Sequence, residues 1–158
     1  MNRYRGGFTI LELVVTLGIV AVLGIIGLKI SSTASEVSLR SAERMLTDEL
    51  RQAREWSLCG GDTCFGLSFD SSCEDKFRRI KKSGGSIVQV KEITLPSGAR
   101  FSARNSASMT TFGGDRVYFT SGGAPSMAGS IVVTAGRKVA RITVIPDTGR
   151  VESRREGW

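Results

Sequence analysis

Three textures of apolar and polar residues follow one another along this chain. From Phe8 to Leu28 the only ionisable side chain is Glu12, and the only other polar side chains are Thr9 and Thr16. A helix on the surface of a globule shows a polar stripe, and this segment has none. At about 1.5 Å per residue it matches the hydrocarbon thickness of a bilayer, so the pattern predicts a membrane-spanning helix. Arg3 and Arg5 precede the span and hold its start on the cytoplasmic side, which places everything after Lys29 outside the cytoplasm.

The second texture is amphipathic. Leu39, Ala42, Leu46, Leu50, Ala53 and Trp56 recur at steps of three or four, with Arg40, Glu43, Arg44, Asp48, Arg51 and Arg54 on other faces. A helix continuous from Phe8 to Leu58 would be about 75 Å long. Gly18, Gly24, Gly27 and Ser31-Ser32-Thr33 are weak helix formers and predict local bending or unwinding between the two halves. After Leu58 short β-type runs alternate with Gly, Ser and Pro: Phe65–Phe69, Phe77–Lys81, Ile87–Leu95, Arg116–Thr120, Ile131–Thr134 and Val139–Ile145. Phe65, Leu67, Phe69 and Ala140, Ile142, Val144 alternate as half-buried strands do. Ser83-Gly84-Gly85 and Ser121-Gly122-Gly123 read as turns, and Ser102–Ser108 as a loop. The fold class is α+β: a long N-terminal helix, transmembrane and then amphipathic, packed on a C-terminal antiparallel sheet or pair of sheets.

An ordinary secretory signal places its small-residue cleavage site after the apolar run. Here Gly6-Gly7 lie before it, so cleavage there keeps the span on the mature chain. The run Arg5-Gly6-Gly7-Phe8-Thr9-Ile10-Leu11-Glu12-Leu13 resembles the prepilin processing motif of type IV pilins and type II secretion pseudopilins. The resemblance implies that a prepilin peptidase cuts after Gly7 and that the new amine of Phe8 is methylated. It divides the chain into a leader over 1–7, a transmembrane or filament-core helix over 8–28, an amphipathic helix over 29–58 and a β-rich extracytoplasmic domain over 59–158. The protein would wait in the inner membrane and then enter a pilus or pseudopilus with other pilin or pseudopilin subunits. A carboxylate inside a transmembrane segment costs roughly 2.5–3.5 kcal/mol and marks function by default. By the resemblance, Glu12 is compensated by the amine of Phe8 on a neighbouring subunit.

Farther along, Val117-Tyr118-Phe119-Thr120-Ser121-Gly122-Gly123, Ile131-Val132-Val133, Arg141-Ile142-Thr143-Val144 and Gly149-Arg150-Val151 resemble the GspH/FimT group of minor pseudopilins and minor pilins. Some members of that group bind DNA during natural transformation through a C-terminal Gly-Arg-x-Arg motif. The corresponding stretch here is Gly149-Arg150-Val151-Glu152, with its last position reversed in charge and Arg154 and Arg155 just beyond. Arg150, Arg154 and Arg155 are therefore the candidate DNA contacts. The net charge is +7, and loss of the leader removes Arg3 and Arg5 from that surplus. Residues 76–104 hold eight Lys or Arg against Glu92, and 137–155 hold six against Asp147 and Glu152. The first of these stretches, around Lys76–Lys82, is a second candidate for a phosphate contact.

Cys59, Cys64 and Cys73 all fall on the extracytoplasmic side, where disulfides are chemically allowed. Cys59 with Cys64, across Gly60-Gly61-Asp62-Thr63, and Cys64 with Cys73 are both open pairings. The chain has no histidine, so a metal site lacks its commonest ligand and acid–base catalysis its commonest group. No phosphate-binding Gly loop follows a strand. No enzyme activity, metal or cofactor is expected.

Overall fold

The computed structural model describes residues 9–70, 72–102 and 110–156, without the side chains of 25–32 and 156. Thr9 caps the one long helix, its Oγ1 accepting the Glu12 N–H at 3.3 Å. This helix, α1, runs Ile10–Cys59 and is helical through Gly18, Gly24, Gly27 and Ser31-Ser32-Thr33, so the unwinding expected there is absent. The helix ends where Gly60 and Gly61 follow, the latter at φ +59°.

The residues form two compact units, Met1–Ala34 and Ser35–Trp158, divided within α1. In the second unit eight strands follow α1: β1 Cys64–Phe69, β2 Lys76–Ser83, β3 Ser86–Thr94, β4 Ala99–Phe101, β5 Arg116–Tyr118, β6 Gly129–Ala135, β7 Lys138–Val144 and β8 Val151–Glu156. They make two antiparallel sheets, in the orders β3-β2-β1-β5 and β4-β6-β7-β8. The six expected strands are all present. The two that were not expected, β4 and β8, are respectively three residues long and charged along most of its length, so neither carries an apolar run. Of the expected loop Ser102–Ser108, only Ser102 lies among the described residues.

Leu39, Ala42, Leu46, Leu50 and Ala53 of α1 are buried against both sheets in one cluster with Leu67, Phe69, Phe77, Phe101, Val117, Phe119, Ile131, Val133, Ile142 and Val144. Each such side chain contributes about 1.5–3 kcal/mol through removal from water. Phe69 joins the sheets: its ring lies 5.4 Å from Phe101, 6.2 Å from Phe77 and 6.5 Å from Phe112. The stripe on α1 ends on Ser57 rather than on Trp56, which is only half-buried. The Ser57 hydroxyl donates to the Ala53 carbonyl at 2.9 Å and accepts the Phe65 N–H at 2.7 Å, tying the helix end to β1.

Candidate functional site

Gly7 and Phe8, the expected cleavage pair, lie outside the described residues. Glu12 stands in the first turn of α1 and is exposed, at the positive end of the helix dipole. Thr16 donates its hydroxyl to the Leu13 carbonyl at 2.9 Å, so this polar side chain is satisfied by its own helix. Every large apolar residue from Ile10 to Leu23 is exposed, from 52% at Val15 to 84% at Ile10. Among the described residues no helix is long and apolar enough to cross a membrane. Of the expected span Phe8–Leu28, however, only the side chains of 9–24 are described, fewer than the roughly 20 a crossing needs.

The three candidate DNA contacts do not share one environment. Arg150 leads into β8 and pairs with Glu152 at 3.4 Å, both well exposed. Arg154 and Arg155 are adjacent on a strand and so point to opposite faces. Arg155 faces inward, opposite Ala140 in register, and its Nε donates to Glu43 of α1 at 2.6 Å. Arg154 lies opposite Arg141 on the outer face, exposed and without an ion pair among the described residues. In β2, most of the basic residues are also engaged. Lys76 and Arg78 both bind Glu92, at 3.1 and 3.3 Å, and Arg78 also meets Asp70 at 3.3 Å. The Lys76 and Arg78 hydrogen bonds hold the Glu92 carboxyl below its ordinary range, and the Ser72 hydroxyl and N–H do the same for Asp70, with help from Arg78. Arg79 forms a fork with Glu49, closest at 2.7 Å, and its guanidinium sits 4.4 Å from the Trp56 ring centre. Lys82 lies over the Tyr118 ring at 4.4 Å.

Cys59, Cys64 and Cys73 are free thiols, Cys59 exposed and the others half-buried. The fold places Cys59 at the last residue of α1 and Cys64 at the first of β1, with the turn through Gly60 between them.

Residues 2–28 match the family model of the prokaryotic N-terminal methylation motif. Among solved structures, the minor pseudopilin EpsH from the type 2 secretion system of Vibrio cholerae superposes with a TM-score of 0.59 at 11% identity, covering 75% of this chain and 97% of that one. The type IV minor pilin FimU of Pseudomonas aeruginosa superposes at 0.57 and 12%, covering 75% and 90%. A second EpsH structure gives 0.56 at 10%, covering 77% and 96%. At such identities the likeness is one of fold. No curated protein matches the sequence. The chain carries the N-terminal methylation motif and shares the fold of these minor pseudopilin and minor pilin structures.

Two of the segments that resemble the GspH/FimT group, Val117–Gly123 and Gly149–Val151, meet each other. A Cβ on Gly149, at φ +64°, would fall 2.2 Å from the Gly123 carbonyl oxygen, and Arg54 of α1 donates to that same oxygen at 3.2 Å. Only glycine permits this approach, which accounts for Gly149 through packing alone. Sequence periodicity placed Glu43 and Arg54 on the polar side of α1. The structure gives each a partner from a distant strand or turn, which helical spacing does not reveal. On the same helix Glu36 receives the Lys138 ammonium at 2.6 Å and is also paired with Arg40; Lys138 is the main reason its carboxyl is held below the ordinary range.

Proposed function

We propose that this chain is a minor pilin or pseudopilin, a structural subunit that assembles through the start of α1 into a pilus or a type II secretion pseudopilus. The observation that carries this reading is the exposure of every large apolar side chain between Ile10 and Leu23, directly after a prepilin-type motif. Leaving so many such side chains in water would forgo about 1.5–3 kcal/mol each, so the segment needs an apolar environment. Before assembly that environment is the inner membrane, with the N-terminus cytoplasmic and Ser35–Trp158 outside. In the filament it is the helices of neighbouring subunits. Glu12 is the one charge in the segment and takes the amine of a neighbouring Phe8, which fixes the stagger between helices.

The partners are therefore a prepilin peptidase, which removes 1–7, and other pilin or pseudopilin subunits. The test of processing is the intact mass of the membrane-extracted protein, expected to begin at a methylated Phe8. Gly7→Leu should retain the leader, since the peptidase requires a small residue before the cut. A native chain beginning at any other residue would refute the assignment.

A DNA contact is the second reading, favoured by one observation. Arg154 is exposed on the outer face of β8 and has no ion pair among the described residues, so its guanidinium is open to an anion. A phosphate backbone would supply that anion. Arg150 and Arg155 are already committed to Glu152 and Glu43, so Arg154 is the member of the trio best placed for it.

A further inference from the structure

Two sheets present four edge strands, and three of them are blunted. In β5 only three residues pair, and its far side is closed by Ser126, whose N–H donates to the Tyr118 carbonyl at 2.6 Å. In β4 there are again three residues, with the Phe101 N–H donating to Glu74 at 2.6 Å. β8 is longer but carries Glu152, Arg154, Arg155 and Glu156. Short length, covering segments and charges are the devices by which sheets avoid pairing with other chains.

β3 lacks these protections over half its length. It has nine residues, and Ile87, Val88 and Val90 are 41%, 59% and 53% exposed. No described segment pairs with its outer side. Gly84 and Gly85, both at positive φ, form the two-residue turn that joins β2 to β3, which makes Ser83 and Ser86 its closing hydrogen-bonded pair. Pairs then alternate: Lys81 with Val88 is bonded, whereas Lys82 with Ile87 and Ile80 with Gln89 are not. The N–H and C=O groups of Ile87 and Gln89 therefore face the open edge. Regular pairing stops at Val90, where the register jumps from Gln89 opposite Ile80 to Lys91 opposite Arg79. The uncharged run Ser86–Val90 is thus a bounded template between a turn and a bulge.

Charge identifies what fits it. Between Lys76 and Thr94 there are six Lys or Arg and one acid, Glu92, which Lys76 and Arg78 already bind. Lys81, opposite Val88, and Lys91, beside the bulge, have no ion pair among the described residues. A second copy of this chain would bring the same surplus of positive charge to the contact. We propose that Ser86–Val90 is a strand-addition site for an extended segment of a different chain, one that alternates apolar with acidic side chains. Main-chain bonds to Ile87 and Gln89 give the pairing, Val88 and Val90 the apolar contact, and Lys81 and Lys91 the selection for acid.

The test uses the full chain in detergent micelles and an acetylated heptapeptide of alternating glutamate and valine. Binding should slow amide exchange at Ile87 and Gln89, and the lysine–valine heptapeptide should bind at least about tenfold more weakly. Gln89→Pro removes an edge donor that has no partner within the sheet and should weaken binding about tenfold, whereas Gln89→Thr should leave it unchanged. N-methylation of alternate peptide amides should cause a similar loss with the protein untouched, which separates edge pairing from any effect of proline on folding. Equal binding of the two heptapeptides, or full binding by Gln89→Pro or by the methylated peptide, would overturn the proposal. So would self-association of the chain that Gln89→Pro abolishes, because that would give the edge to a second copy.

Discussion

Leu17 and Leu46 are leucines on the same helix, yet Leu17 is 62% exposed and Leu46 fully buried. Around Leu17 the apolar residues cover every side of the helix and are exposed. Around Leu46 they form a stripe, and the other faces carry Glu36, Glu43, Glu49 and Arg54, each bound to a strand or turn. One half of α1 is thus covered by the strands packed on it, and the other half is exposed, which the proposed assembly would cover. The lesson is that an all-round apolar helix states a need, whereas a striped helix states a partner within the molecule.

The sharpest break of this comparison is a matched pair of truncations. Leu46→Ala should lower stability by about 2–5 kcal/mol through lost burial and a residual cavity, read from chemical denaturation in detergent. Leu17→Ala should leave that midpoint within about 0.5 kcal/mol, as surface changes do. An equal loss from both would mean that the first half of α1 belongs to the folded core.

A smaller effect separates the two neighbouring arginines of β8. Arg155→Ala leaves the Glu43 carboxylate, 7% exposed, without its partner and should cost about 1–3 kcal/mol. Arg154→Ala should leave stability nearly unchanged. If DNA is bound at this strand, Arg154→Ala should also lower the slope of log affinity against log salt by ~0.9. Loss of binding in Arg155→Ala with no loss of stability would instead return Arg155 to the contact surface.

The smallest effect is electrostatic. Because Lys138, and less so Arg40, lower the Glu36 pKa, the ionised carboxylate favours the fold above its ordinary value of 4.5. That contribution disappears as pH falls through the lowered value. Glu36→Gln should therefore flatten the acid side of the stability curve slightly and leave neutral pH little changed, since the pair is exposed and screened.

Much of this was legible in the chain itself. The amphipathic stripe and the alternation in β1 and β7 are periodic signals that survive into the fold because burial enforces them, whereas the apolar run Ile10–Leu23 is helical but exposed. β4 and β8 were not legible because one is too short to show a period and the other is an edge strand whose charges face solvent or the Glu43 carboxylate. The division of Arg154 from Arg155 was hidden for a related reason. Two adjacent basic residues read as one patch until the strand assigns them to opposite faces. The motif Arg5–Leu13 was legible as chemistry, whereas the exposed edge of β3 depends on sheet order, which no local pattern encodes.

The most direct test of the central claim follows Glu12→Val into sheared filament fractions. Removing the carboxylate takes away the insertion cost, so membrane levels should hold or rise, while incorporation into filaments should fall sharply because the neighbouring Phe8 amine loses its partner. Incorporation of Glu12→Val at the native level, or absence of the native chain from any filament or pseudopilus fraction, would contradict assembly through this helix.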